Sequence, residues 1–155
     1  MQDRELLQKA LQNKNMMVLY RDDLMAPETA GIPVAVENEL VVLHRQTNFA
    51  LDGYAALRTG DITEAEQMDD VPFLKKVLTA EKVYDAVKAP GFCCRNWQTL
   101  LEGILARYDG WAAVACEGNP AESLYFLGRL QKVDGRYLTM QRGAALGTWP
   151  HDPRV

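Results

Sequence analysis

The feature that most constrains this chain is an internal repeat. Residues 31–45, GIPVAVENELVVLHR, align without a gap on residues 128–142, GRLQKVDGRYLTMQR. Gly31 meets Gly128, Val36 meets Val133, Glu37 meets Asp134, Val41 meets Leu138 and Leu43 meets Met140. Upstream, Leu6, Leu7, Ala10 and Leu11 fall on Leu100, Leu101, Ile104 and Leu105. A supersecondary unit present twice limits the architecture more tightly than local propensity does. Each copy has about 60–65 residues, a size that buries only about 60% of its unfolded surface. Two such units in one chain are therefore expected to share an interface.

Each copy reads as a helix followed by short strands. Residues 2–13 form an amphipathic pattern with Leu6, Leu7, Ala10 and Leu11 on one side. Met16–Tyr20 has strand length and composition. Residues 30–37 and 39–46 read as a hairpin joined at Glu37-Asn38, where Asn tolerates the positive φ of a tight primed turn. Asp134-Gly135, a strong hairpin signal, holds the same place in the second copy. Residues 51–58 and 62–67 complete the first copy as strands, with Thr59-Gly60-Asp61 as the turn between them. Asp69-Asp70 before Val71-Pro72 marks a helix start. In the second copy Asn96 precedes a helical run from Trp97 to Tyr108 that Asp109-Gly110 ends. Strands are expected over residues 111–117, 123–133 and 135–142.

This divides the chain into a first repeat (1–67), a helical connector (68–95) and a second repeat (96–155). By the repeat alignment Val155 falls on Arg58, so nothing matches residues 59–67 and the second copy is expected to lack its final strand.

A helix followed by five short, bent strands resembles the Sm-like (SH3-like) barrel. Gly31-x-x-x-x-Val36-Glu37 and Gly128-x-Leu130-x-x-Val133-Asp134 are similar to the first Sm motif, in which the Gly permits strong bending. Leu57-Arg58-Thr59-Gly60-Asp61-Ile62 is similar to the second, an apolar–Arg–Gly turn, with Thr59 inserted. The whole chain also resembles a poorly characterised bacterial family of two such units. The implied fold is α+β, mainly β: two small barrels, each preceded by a helix, the second incomplete. Sm proteins bind single-stranded RNA through an Asn after strand two and an Arg-Gly pair after strand four. The resemblance thus singles out Asn38 and Arg58; the second copy has Gly135 and no Arg-Gly turn there.

Composition narrows the function classes. The apolar fraction of 48% and charged fraction of 25% are those of a globular protein. A formal net charge of −4 disfavours sequence-independent binding to phosphate backbones. The N-terminus lacks a signal peptide's apolar core, and no apolar run approaches the roughly 20 residues of a membrane span. Three cysteines do not make a disulfide framework, so a cytoplasmic location is expected.

Chemistry-bearing residues are few. His44 on the third strand could act as a general base, but its counterpart is Gln141, so a polar surface position is the simpler expectation. Cys93-Cys94 before a helix start could hold a thiolate of lowered pKa, although two buried small side chains are the simpler account; Cys116 is expected in the core. Asp22-Asp23 and Asp69-Asp70 read as loop and cap residues, and His151 as a solvated tail residue. Arg58 at a bent strand end could hold a carboxylate or phosphate, or pair with Asp61. No phosphate loop, HExxH or GxSxG occurs, so no cofactor and no metal is expected. The favoured function is a non-catalytic interaction module that self-associates or accepts a partner's strand. Single-stranded RNA binding and a Cys-dependent enzyme are the alternatives.

Overall fold

A computed structural model describes residues 2–24, 28–117 and 124–143. The chain is α+β with mostly strands, and divides into two units, Met1–Asn96 and Trp97–Val155.

In the first unit helix α1 (Gln2–Asn13) precedes strands β1 (Met17–Tyr20), β2 (Glu28–Val36), β3 (Leu40–Thr47) and β4 (Ala50–Arg58). A short 3-10 turn over Thr59–Asp61 leads to β5 (Glu64–Gln67), and helix α2 (Val71–Ala80) follows. The strands form one antiparallel sheet in the order β4-β3-β2-β1-β5. Strand β2 changes partner along its length: Glu28–Gly31 pair with β1, and Ile32–Val36 pair with β3. A strand shared in this way makes a corner in the sheet. Gly31 sits at the handover. A Cβ there would lie 2.8 Å from the Leu43 Cβ and 3.1 Å from the His44 carbonyl oxygen, so the close approach of β2 and β3 excludes a side chain.

The sheet does not close into the expected barrel: β4 and β5 are its outer strands and pair only inward. Helical segments cover its apolar faces instead. On one face Leu7 and Ala10 of α1 are buried with Met17, Leu19, Val36, Val41, Leu43 and Leu57. On the other, Val71 and Leu78 of α2 and Val87 beyond it are buried with Met16 and Ile32. Residues 68–95, set apart in the sequence as a connector, thus bury apolar side chains against the first sheet. Burial on both faces explains why Leu40, Val41, Val42, Leu43 and His44 are consecutively buried, where a sheet with one wet face would alternate. Asp70 precedes α2 without capping it through its side chain, and Pro72 occupies the first turn.

The second unit has helix α3 (Trp97–Arg107) and a three-stranded sheet of β6 (Trp111–Cys116), β7 (Leu124–Val133) and β8 (Leu138–Arg142), in that order. Its β7–β8 register repeats that of β2–β3 position by position. Ile32 pairs with His44 and Arg129 with Gln141; Pro33 with Leu43 and Leu130 with Met140; Val36 with Val41 and Val133 with Leu138. The register shifts also coincide, between Pro33 and Ala35 and between Leu130 and Lys132. Gly128 repeats the close approach of Gly31, since a Cβ there would collide with the Gln141 carbonyl oxygen. Only the helices are out of phase with the sequence alignment. The buried pair Leu7 and Ala10 corresponds to Leu100 and Gly103, one residue earlier than the alignment places it.

The hairpin turns differ from expectation in conformation. Neither Asn38 nor Gly135 has positive φ. Both turns instead close by backbone hydrogen bonds, Glu37 N–H donating to the Leu40 carbonyl (2.8 Å) and Asp134 N–H to that of Tyr137 (3.0 Å). The positive φ pair falls at Asn48-Phe49 (50° and 62°), between the paired Thr47 and Ala50, as a two-residue primed turn requires. The tail of the second copy, including Trp149–Pro153 and the missing final strand, lies outside the described residues.

Two outcomes test this account. Gly31→Ala should lower the urea midpoint by an amount worth about 1–3 kcal/mol, the cost of forcing a methyl into a close backbone contact. Gly60→Ala, where a Cβ would meet nothing within 4 Å, should change stability by under about 0.5 kcal/mol. In the second unit, backbone N–H groups of Arg136 and Tyr137 donate to the Asp134 carboxylate and hold its pKa below the usual aspartate value. A depressed folded-state pKa gives stability that is present above the unfolded value and lost as pH falls through the folded one. Carboxyl NMR should therefore show Asp134 titrating below the usual aspartate value, with the turn loosening in the same pH interval.

Candidate functional site

The three residues singled out from sequence do not converge. Asn38 is exposed at the tip of the β2–β3 turn. Arg58 is exposed at the end of β4, opposite Leu40. The turn is tied to that strand end by Thr59, whose N–H donates to the Glu39 carbonyl (2.8 Å) and whose hydroxyl donates to the Glu37 carbonyl (3.3 Å). Arg58 makes no ion pair with Asp61 among the described residues. His44 shares the Arg58 face of the sheet, but four residues of extended chain separate it from Leu40, about 13 Å.

His44 is not the polar surface residue its repeat partner Gln141 suggested. It is 6% exposed and stacked on Tyr54, ring centroids 4.3 Å apart and planes inclined by 22°. Its Nδ1 has no hydrogen-bond partner among the described residues. Burial first, and then the charge of Lys88, lower its pKa below the usual histidine value. The position takes His in one copy and Gln in the other because the two copies cover this face differently.

The cysteines separate by environment. Cys93 is exposed, while Cys94 is buried, with its Sγ 3.6 Å from the Phe92 carbonyl oxygen. Burial, then the neighbouring Cys93 and Glu37, push the Cys94 thiol above its usual pKa, the reverse of an activated nucleophile. Cys116, expected in the core, is exposed at the end of the outer strand β6. The acidic pairs act locally. Thr63 donates its hydroxyl to the Asp22 carboxylate (3.0 Å), and Asp69 and Asp70 line an open depression beside Val18 and Glu66. No group of three or more potential metal ligands occurs among the described residues. His151 lies outside them.

The largest unexplained surface is on the second sheet. Strand alternation and register put Trp111, Ala113 and Ala115 of β6 on one face with Tyr125, Leu127 and Arg129 of β7. Trp111 is 49% exposed, Tyr125 64% and Leu127 56%. Helix α3 packs on β7 and β6, and the buried Gly128 and Leu130 lie on the opposite side of β7 from these residues. The exposed face is the repeat equivalent of the one that α2 and Val87 cover in the first unit, since Arg129 aligns with Ile32. Arg129 is held by Asp109, donating through Nε to its carbonyl oxygen (2.7 Å) and through Nη2 to its carboxylate. Sequence reasoning missed this face, although the repeat carries its signal. Ile32 becomes Arg129, Val34 becomes Gln131, Leu40 becomes Tyr137 and Val42 becomes Thr139.

Thiol chemistry checks the burial pattern. In native protein a maleimide should modify Cys93 and Cys116 rapidly, and Cys94 only once denaturant is added. Three thiols of equal reactivity would contradict it.

Comparisons with protein-family models, with curated proteins and with solved structures find no match to this chain.

Proposed function

We propose that this protein is a non-catalytic interaction module built from a doubled, bent Sm-like unit, and that its second sheet is the contact surface. The observation that carries the reading is the unequal treatment of one face. In the first unit its Met16 and Ile32 positions are buried under α2 and Val87, while Glu28 and Ala30, which align with Tyr125 and Leu127, are small or polar and exposed. In the second it presents Trp111, Tyr125 and Leu127 to solvent. Interface centres are enriched in aromatic side chains and ringed by polar ones. Here the ring consists of Arg129, Gln131 and Gln141, with Tyr137, 70% exposed, beside them. Among the described residues β6 and β8 are the outer strands of this sheet, and outer strands can accept strands from other chains. Such a surface suits a second copy of the chain first, and a strand-donating protein next. Single-stranded RNA fits less well. The acidic balance works against phosphate binding, and Asn38 and Arg58 lie in the first unit, on different residues from the exposed aromatic face.

Light scattering coupled to size exclusion tests the reading. The mass should rise above that of the 17.4 kDa chain as concentration increases, and Leu127→Glu should return it to the monomer. A strict monomer at every concentration, with Leu127→Glu indistinguishable from it, would refute self-association. Binding to mixed single-stranded oligonucleotides, weakening with salt and lost in Arg58→Ala, would support the RNA reading instead.

A further inference from the structure

His44 has a role that neither the repeat nor the contact surface uses. It lies under the segment that follows α2, where the chain turns through Tyr84–Ala86 and continues to Lys88. This segment is held by contacts to the sheet and to the end of α1, of which three matter here. Val87, 2% exposed, is buried with Ile32, the residue paired with His44 on β2. Tyr54, which stacks on His44 from β4, donates its hydroxyl to the Lys88 carbonyl (3.0 Å). Tyr84 donates its hydroxyl to the Asn13 carbonyl (3.1 Å) at the end of α1. Two of the three attachments therefore meet at or beside the imidazole.

We propose that residues 84–92 form an acid-released strap, and that protonation of His44 is what detaches it from the first sheet. The neutral ring tolerates its site because it stacks on Tyr54 and packs beside Ile32. The imidazolium does not, because a buried cation needs an acceptor or a counter-charge. The groups facing it are Ile32 from β2, Tyr54 from β4 and Lys88 from the strap. Among the described residues no carboxylate is recorded as acting on the ring, and the charge that does act on it is the like-signed Lys88. Detaching the strap relieves both penalties by wetting the ring and letting Lys88 move away. The direction of titration agrees. Burial and Lys88 hold the folded-state pKa below the usual histidine value, so the attached form is favoured above that value. It is lost as pH falls through the folded-state pKa. The second unit lacks the device, since Gln141 stands at the equivalent position and does not titrate.

The test is hydrogen exchange on the whole chain, corrected for intrinsic pH dependence, from about pH 7.5 to about pH 5. Opening of residues 84–92 should rise, by up to about tenfold per pH unit, between the usual histidine pKa and the lower His44 midpoint of the attached form, and level off below that midpoint, as expected where opening takes up one proton. In His44→Phe, which keeps an aromatic ring on Tyr54 without a titrating group, opening should be flat over the same interval. In Lys88→Met the total rise should be smaller, because the attached form then tolerates the imidazolium better. If His44→Phe opens with acid as the parent does, or if the parent does not open, the proposal fails. Should His44→Phe not fold, the imidazole resonances of the parent decide. A His44 that titrates at the usual histidine pH with no change at residues 84–92 overturns the proposal, and titration coincident with strap opening supports it.

Discussion

Much of this structure depends on how closely one strand can press on its neighbour. At Gly31 the backbone of β2 lies so near β3 that a methyl group would collide with Leu43 and approach the His44 carbonyl, and Gly128 meets Gln141 in the same way. That approach lets a single nine-residue strand hand its hydrogen bonds from β1 to β3 within one residue step. The sheet turns a corner there, and the extra residue in the following register shift sharpens it. This bent sheet stays open and carries apolar residues on both faces. Helices must cover them, which is the part α1 and α2 play in the first unit.

The two copies agree where α1 and α3 pack and differ where they do not. On the helix-facing side the paired positions stay apolar: Pro33 and Leu130, Val36 and Val133, Val41 and Leu138, Leu43 and Met140. On the other side the apolar residues of the first copy give way to Arg129, Gln131 and Thr139. In the first unit the middle of the second face is dry around Ile32 and His44, and in the second unit that face is wet and carries aromatic side chains. A residue that is buried in one setting and polar in the other, such as His44 opposite Gln141, follows directly from that difference.

This is also where the sequence could and could not be read. Most strands and the two hairpins at Glu37-Asn38 and Asp134-Gly135 are legible in the sequence, because the repeat shows those hairpins twice and turn residues mark strand ends. The corner at Gly31 was legible from the same Gly in both copies. The turn geometry was not, since Asn and Gly permit positive φ without requiring it, whereas Asn48-Phe49 adopts it with a bulky ring that gives no such signal. The position of His44 was misread because a polar counterpart was taken to imply a polar environment, an inference that holds only when both copies are covered alike. Cys116 was misread because an apolar strand reads as core until its neighbours are known, and β6 proves to be an outer strand. The barrel is an expectation from the element order and the resemblance to the two Sm motifs, and closure depends on how β4 and β5 end up placed, which short motifs do not report.

The attachment of α2 and Val87 to Ile32 and Met16 also decides where the chain can be divided. A gene fragment stopping at Gln67 contains every strand of the first sheet, yet it would carry Met16 and Ile32 into water and invite aggregation. A fragment running on through Asn96 brings its own cover. Genetic exchange that moves the first unit as a working piece must carry the downstream thirty or so residues with it, and those residues are under the same packing constraint as the strands themselves.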